Sequence, residues 1–569
     1  MTTYLDRLPV EILHMIFEFM SNSDVLWSFY NISPYLNAVL NHHHWHTLNF
    51  QSISKSRFDF ICNHLELQRI ISLTLSNDIK TPGQIQLFFS QFNLRDFINL
   101  HSLTLLSITY EEIYPILSDL SKLKHLTSLI TTCRSSEPLL IGQTLTQLKS
   151  LKNLSISYGD IFDHNVTFPL HNLTILDAGT CNFLELRRLQ WIVPSLVSLK
   201  IILEANHQLQ LVSDTNGWSC LKRLNLTLKG EKTTFDEMQT FLYRFHNLTH
   251  LTLNIRGSVN EIANGYHWEK CSTIASLKKF DFIFEFELSS ANSTQVMDEI
   301  FTSFSTPFWR DIKKWYVAIT SHNVYTISCF DDQLFVSSTS SPLTTSPDDS
   351  WFYSKVKRIE IDKNTSIINL HHFHKLERLD LLEEKLFLST SHMNKFAFLR
   401  HLSFHQCISN TILNEILTYN PNINHLTLSQ IDFNQLLPLK TIHYLYLEDS
   451  IKITNRTQIK ELHRIFPTIK QLSIYLNSIQ LICQIINDFH QLENIRFHFY
   501  TIIKPISYQW LKNNTRLNKN SCSFTYQNES QEILLWINNS MTSTIHSEGE
   551  LSINLNVVQE RRSNQCLLQ

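Results

Sequence analysis

The run His42-His43-His44-Trp45-His46 places four imidazoles in one short segment, and imidazole is a ligand for zinc, copper and nickel. No carboxylate or cysteine stands close enough in sequence to complete such a site, so the run reads as a surface histidine cluster and no metal is expected. The ten cysteines contain no C-x-x-C pair, which removes the common zinc and dithiol patterns and leaves reduced thiols. The adjacent acids Glu383-Glu384 and Asp348-Asp349 read as solvated turn residues. Only nine glycines occur, the closest pair being Gly257 and Gly265, so G-x-G-x-x-G, the P-loop and G-x-S-x-G are all absent. No catalytic residue and no cofactor are nominated, and the chain is not expected to be an enzyme. A site hidden in 285–355 is the one enzymatic alternative.

Two end segments do suggest chemistry of another kind. Cys566-Leu567-Leu568-Gln569 satisfies the C-a-a-X pattern, with glutamine in a place compatible with farnesylation of Cys566. One prenyl chain gives reversible membrane association at most. Leu5 to Met20, LDRLPVEILHMIFEFM, is a short amphipathic helix: with Pro9 as its first residue, Ile12, Leu13, Ile16, Phe17 and Met20 recur at three- and four-residue steps. Glu11 sits in the first turn, where the helix dipole favours a carboxylate.

What must position these ends is a repeat. The hexad apolar-x-x-apolar-x-apolar returns as LKNLSI (from Leu151), LVSLKI (Leu196), LKRLNL (Leu221), LTHLTL (Leu248), LERLDL (Leu376), LRHLSF (Leu399), INHLTL (Ile423), IHYLYL (Ile442), IKQLSI (Ile469) and LENIRF (Leu492). From Leu151 through Leu173, Leu196, Leu221, Leu248 and Leu277 the steps are 22, 23, 25, 27 and 29 residues. Weaker copies start at Trp45, Ile70, Leu100, Leu126, Ile312 and Val356. A strand of this kind directs alternate apolar residues inward and cannot bury that face alone, so successive units must stack on one another. The intervening segments read as helices: Thr234 and Glu237 have capping-box spacing, followed by Phe235, Met238, Phe241, Leu242 and Phe245.

The hexads resemble a leucine-rich-repeat protein over roughly 45–500. Cys181 and Cys407 stand where that family's consensus carries asparagine or cysteine, and most other copies have neither, leaving the turn's backbone groups without their usual partner. The resemblance implies an α/β solenoid, with parallel strands on the concave face and helices on the convex face. With the repeats in view, Leu8-Pro9-x-Glu11-Ile12-Leu13-x-x-Ile16-Phe17, followed by Asp24-Val25-Leu26, is similar to an F-box, a three-helix module. Where that family shows cysteine and tryptophan in its last helix, this chain has Ile32-Ser33-Pro34-Tyr35-Leu36, and Pro34 is expected to interrupt a simple helix.

The expected organisation is an F-box at 4–48, repeats at 49–284, an irregular repeat at 285–355 with a β-rich insertion projecting from the array and a Ser/Thr/Pro loop, repeats at 356–500, and a C-terminal cap and tail at 501–569. The F-box resemblance implies that Leu8, Pro9, Ile12, Leu13, Ile16 and Phe17 meet a Skp-family adaptor attached to a cullin ubiquitin ligase. Target selection would fall to strand residues between the inward positions: Asn225, Thr252, Asp380, Thr427, Tyr446 and Arg496. The alternative is a leucine-rich-repeat scaffold without ligase involvement, whose first helices only cap the solenoid. A formal charge of -3 gives no reason to expect nucleic acid. The expected setting is cytoplasmic, nuclear or both, with membrane contact only through Cys566. The Asn-x-Ser/Thr triplets at Asn172 and Asn247 are then not glycosylation sites.

Overall fold

A computed structural model describes residues 4–43, 47–134, 142–156, 169–204, 218–229, 233–258, 261–286, 293–320, 323–329, 333–336, 343–361, 373–382, 396–406, 408–430, 436–518, 523–529 and 531–538. The chain divides into Met1–Asn539 and Ser540–Gln569. The second unit lies outside the described residues, and with it Cys566; so do His44 to His46, Cys407 and Glu383-Glu384.

The hexads become strands. The first ten are β1 (Thr47–Asn49), β2 (Ser72–Ser76), β3 (Ser102–Ile108), β4 (Ser128–Cys133), β5 (Asn153–Ile156), β6 (Ile175–Cys181), β7 (Ser198–Glu204), β8 (Arg223–Lys229), β9 (His250–Ser258) and β10 (Lys279–Phe286). They pair in chain order, all parallel. Leu48, Leu73, Leu103, Leu129, Leu154, Leu176, Leu199, Leu224, Leu251 and Phe280 are successive partners across these strands. None of them is more than 2% exposed. Each such side chain contributes roughly 2 kcal/mol by burial, and only because the next repeat covers it.

Helices lie between strands where the spacing predicts them. In Phe235–Leu242 the capping box is complete: Glu237 N–H donates to Thr234 Oγ1 at 3.3 Å, and Thr234 N–H to Glu237 Oε2 at 3.0 Å. Phe235, Met238, Phe241 and Leu242 face the core.

Side chains just ahead of several hexads make bonds to the backbone of the preceding repeat. Before five of the hexads the preceding residue reaches back to a backbone carbonyl of the preceding repeat: Asn99 to Gln68 (2.7 Å), Asn172 to Lys149 (2.7 Å), Asn247 to Ser219 (2.7 Å), Asn422 to Ala397 (3.0 Å) and Thr468 to Lys440 (2.8 Å). These bonds satisfy carbonyls that the turn would otherwise leave open. They also occupy the side chains of Asn172 and Asn247.

Between the two halves come β11 (Val317–Ile319), β12 (Asn323–Thr326), β13 (Gln333–Val336) and β14 (Leu343–Thr344). They do not project. Three close the edge of the first sheet in antiparallel fashion, in the order β10, β12, β11, β14, while β13 pairs parallel with β15 (Arg358–Ile361) and opens a second sheet. Alternation along β11 explains the placement: Val317 and Ile319 point into the first core and Ala318 into the second. Ile312 starts no repeat. It is exposed in the π-helical turn Phe308–Lys313, which buries Trp309 instead and ends at Lys314 with φ 55°.

The second sheet continues through β16 (Arg378–Leu381), β17 (His401–Phe404), β18 (His425–Leu428), β19 (Tyr444–Leu447), β20 (Lys452–Ile453), β21 (Gln471–Leu476) and β22 (Asn494–Phe499), all parallel. Its last members, β23 (Phe524–Asn528) and β24 (Glu532–Ile537), form an antiparallel hairpin with β24 against β22.

That hairpin packs back on the start of the array. Trp536 packs at 5.2 Å and a 56° tilt against Phe58 of the helix Lys55–Cys62, and both rings are fully buried. Asp59 of the same helix pairs with Lys55 and accepts from Ser523 Oγ (2.8 Å) and Asn538 Nδ2 (3.0 Å). Thr525 Oγ1 donates to the Pro82 carbonyl at 2.6 Å beside Gly83, whose φ of 74° favours glycine and where a side chain's Cβ would press on Thr525 at 3.3 Å. The array's last strands are therefore sealed by its own first repeats. Trp536→Ala should cost about 4 kcal/mol in guanidinium denaturation and make the hairpin the first site of limited proteolysis.

Candidate interaction site

Three helices precede β1: α1 (Val10–Glu18), α2 (Asn22–Phe29) and α3 (Pro34–His42). Pro9 is the N-cap of α1 and not its first residue, with ψ at 148°. Pro34 does not interrupt a helix; it opens α3, where its missing N–H costs nothing, and Ser33 Oγ caps the turn by accepting from Leu36 N–H at 3.1 Å.

Leu13 and Phe17 are fully buried and build a separate small core with Val25, Leu36, Val39 and Leu40. Leu8 and Ile16 pack half-buried against it, and the Leu8 carbonyl accepts from Tyr35 Oη at 2.7 Å. Of the six residues expected to meet an adaptor, only Pro9 and Ile12 are exposed. The outward face of α1 is completed by residues the inward stripe concealed: Met15 and, just past the helix end, Phe19 at 89% exposure. The signal was a second stripe, since positions 12, 15 and 19 also recur at helical steps.

On the strands, the six expected target-binding positions all lie between inward residues, but their surroundings differ. Asn225 and Thr252 neighbour each other across β8 and β9 and are half-buried. Asp380 is fully buried between Arg358 (2.7 Å) and Arg378 (2.9 Å), and Thr427 is 7% exposed, its Oγ1 3.3 Å from His401 Nε2. The expectation that these two are exposed therefore fails: Arg358 of the adjacent strand and Arg378 of the same strand close on Asp380, and His401 lies against Thr427. Arg496 makes a two-point bond to Glu532 of β24, at 2.7 and 3.1 Å. Tyr446 remains exposed.

Tyr446 lines a half-open pocket of about 170 Å³ on the face of the second sheet that carries the residues between the inward positions, together with His425, Tyr444, Ser473, Asn494 and Arg496. Its roof is Ile79, from the loop after β2. His425 lies flat on Tyr444, with centroids 3.7 Å apart and an interplanar angle of 2°. Burial, reinforced by Arg378 and His425, lowers the His401 pKa to about 3; burial, with Lys80 and Arg378, lowers that of His425 to about 4. These rings are neutral walls at ordinary pH.

Among the described residues no group of histidine, cysteine and acidic side chains is arranged for a metal. His42 bonds the Ala38 carbonyl at 2.7 Å, and His43 lies 3.0 Å from His14. Among the described residues no helix is long and apolar enough to cross a membrane.

No family model and no curated protein matches the chain. Among solved structures, the crystal structure of the Rad7 and Elc1 complex in yeast is matched over 69% of this chain and 89% of that one, at 12% identity and a TM-score of 0.25. A likeness at that TM-score carries no argument about this chain.

The two imidazoles set an acid limit. Unfolded, they titrate near pH 6.5; folded, they stay neutral to about pH 4 and 3. Below about pH 6.5 the unfolded chain binds protons that the folded chain refuses, so their stabilising effect is full above that pH and is lost as pH falls. The urea midpoint should drop from pH 7 to pH 5, and His401→Gln with His425→Gln should flatten the drop. Asp380→Ala, which leaves two guanidinium groups without their shared partner, should cost about 3 kcal/mol at pH 7.

Proposed function

We propose that this chain is the substrate-recruiting subunit of a ubiquitin ligase of the Skp, cullin and F-box type. Its first three helices bind the Skp-family adaptor, its leucine-rich repeats hold a protein target, and the chain itself catalyses nothing. The observation that carries the reading is the outer face of α1. Ile12, Met15 and Phe19 are exposed on a helical unit whose own core is complete without them. Large apolar side chains grouped on one exposed helix face mark a surface that another protein covers.

The capping alternative has an observation in its favour. Asn22 Nδ2 of α2 donates to the Thr47 carbonyl of β1 at 2.8 Å, and Arg57 pairs with Asp24 at 2.8 Å while lying over Trp27. Capping thus uses α2 and leaves the apolar face of α1 without a purpose, which favours the ligase reading over a plain scaffold. Under it the chain works in the cytoplasm or nucleus, without nucleic acid or cofactor, and touches membrane only if Cys566 is prenylated.

The full-length chain should capture a purified Skp-family adaptor. Ile12→Asp combined with Phe19→Asp should weaken capture by at least about tenfold, since interface hot spots are worth upwards of 1–2 kcal/mol each. The melting temperature should hold, because both side chains are exposed. Absence of capture by the wild type rejects the proposal.

A further inference from the structure

The half-open pocket beside Ile79 carries cations at its rim that the chain does not neutralise. Lys80 follows Ile79 in the loop after β2, and Arg400 stands just ahead of His401 in the turn before β17; both are exposed. Among the described residues neither side chain makes an ion pair. Asp78 is close in sequence to Lys80, but its carboxylate accepts from the backbone N–H groups of Lys80 (2.8 Å) and Thr81 (3.0 Å) and from Thr81 Oγ1 (3.0 Å), not from the Lys80 ammonium. Arg378, the neighbour of His401 across β16 and β17, meets Asp380 through Nε alone, at 2.9 Å to each carboxylate oxygen, so its two Nη groups are unused.

The acids on this face are spoken for. Asp380 is shared by Arg358 and Arg378, Glu360 lies 3.9 Å from Arg358, and Glu448, which acts on Tyr446, is held by His405 at 2.9 Å. Lys80 and Arg400 are therefore left in surplus. Their fields converge: after burial, the charges that most strongly keep the His425 imidazole neutral are those of Lys80, Arg378 and Arg400. A cleft dominated by one sign of charge concentrates the other, and hydrogen bonds from ionised donors to an oxyanion are about twice as strong as neutral ones. An ammonium guest is repelled there, and a neutral guest gains nothing from the field.

Resting on the recruiting function above, we infer that the target is anchored at this face by an oxyanion, a side-chain carboxylate or a phosphate monoester, received by Lys80, Arg378 and Arg400 at the His425 end of the pocket, with its hydrocarbon stem against Ile79. Lys80 comes from the first repeats and both arginines from the second sheet, so the site exists because the array closes on itself. The loop that carries Lys80 is held in place by that closure: the Pro82 carbonyl accepts from Thr525 of β23, and the Asn77 carbonyl accepts from Arg134. The inference concerns what the repeats recognise and is independent of how the first helices engage an adaptor.

The test uses the full-length chain and three end-blocked peptides, alanines around a central glutamate, phosphoserine or glutamine, titrated by ligand-observed NMR. At least one of the two anionic peptides should bind about tenfold more tightly than the glutamine peptide, the worth of one charge-assisted hydrogen bond. Either order of the two supports the inference, and the tighter one names the source of the anion. Lys80→Glu combined with Arg400→Glu, both at exposed positions, should remove the preference with the melting temperature unchanged. Lys152→Glu combined with Lys222→Glu, exposed in the turns before β5 and β8, changes the net charge equally and should leave the preference intact. No binding of any peptide, equal affinity for all three, a preference that survives Lys80→Glu with Arg400→Glu, or one lost equally in the control pair would each overturn the inference. Adaptor capture measured on the same variants separates the two proposals: peptide failure with capture intact removes only this one, and loss of capture with anion binding intact removes only the ligase role.

Discussion

A strand of three to nine residues in a parallel array has no means of hiding its own leucines. Each needs the equivalent residue of the next repeat, in register, and a one-residue slip would turn the whole set toward solvent. The unbroken ladder from Leu48 to Phe280, and the second from Ile359 through Leu379, Leu402, Leu426, Leu445 and Leu472 to Ile495, are therefore the constraint on which the remaining structure depends. The pre-hexad asparagines reinforce it: each ties a repeat to its predecessor through a carbonyl, so register is held by polar bonds at one end of the strand as well as by apolar packing within it.

An array built this way leaves two edges and two cores to reconcile. The strand Val317–Ile319 serves both cores, because alternate residues of one strand face opposite ways. At the far end, Trp536 leaves the second sheet and enters the first core beside Phe58. Where a solenoid usually needs separate caps, this one uses its own beginning to cover its end, while α2 covers the other edge at β1. Ile79, from the loop after β2, reaches the strand face of the second sheet beside Tyr446 and Arg496, and a half-open pocket forms between them.

Electrostatics on that face are mostly internal. Asp380 is consumed by two arginines, Arg496 by Glu532, and the histidines are driven neutral by burial among cations. Little unpaired charge is left on the strands of that face, and their outward character is set by aromatic rings and polar side chains already bonded to one another. At the opposite end the outer face of α1 works differently, offering bare apolar area from a helix whose inner face is already committed.

Residue type and spacing alone determined the repeat, the strand register implied by the hexad, the helices behind it, and the amphipathic helix at the start, since each depends on periodicity within about thirty residues. Thr234 and Glu237 behave as their spacing dictates because capping is local. What lay beyond reach was set by contacts between residues far apart in the chain. Asp380 reads as a free strand carboxylate until Arg358 and Arg378 close on it from two neighbouring positions. Pro34 reads as a helix breaker until Ser33 places it at a first turn. QLFV reads as part of an insertion until β13 finds β15. Met15 and Phe19 escaped notice because a helix with two apolar stripes shows which residues are apolar but not which stripe its neighbours cover; only the packing of α2 and α3 on Leu13 and Phe17 assigned the outward one. The seal between Phe58 and Trp536 joins residues hundreds of positions apart, and no local rule connects them.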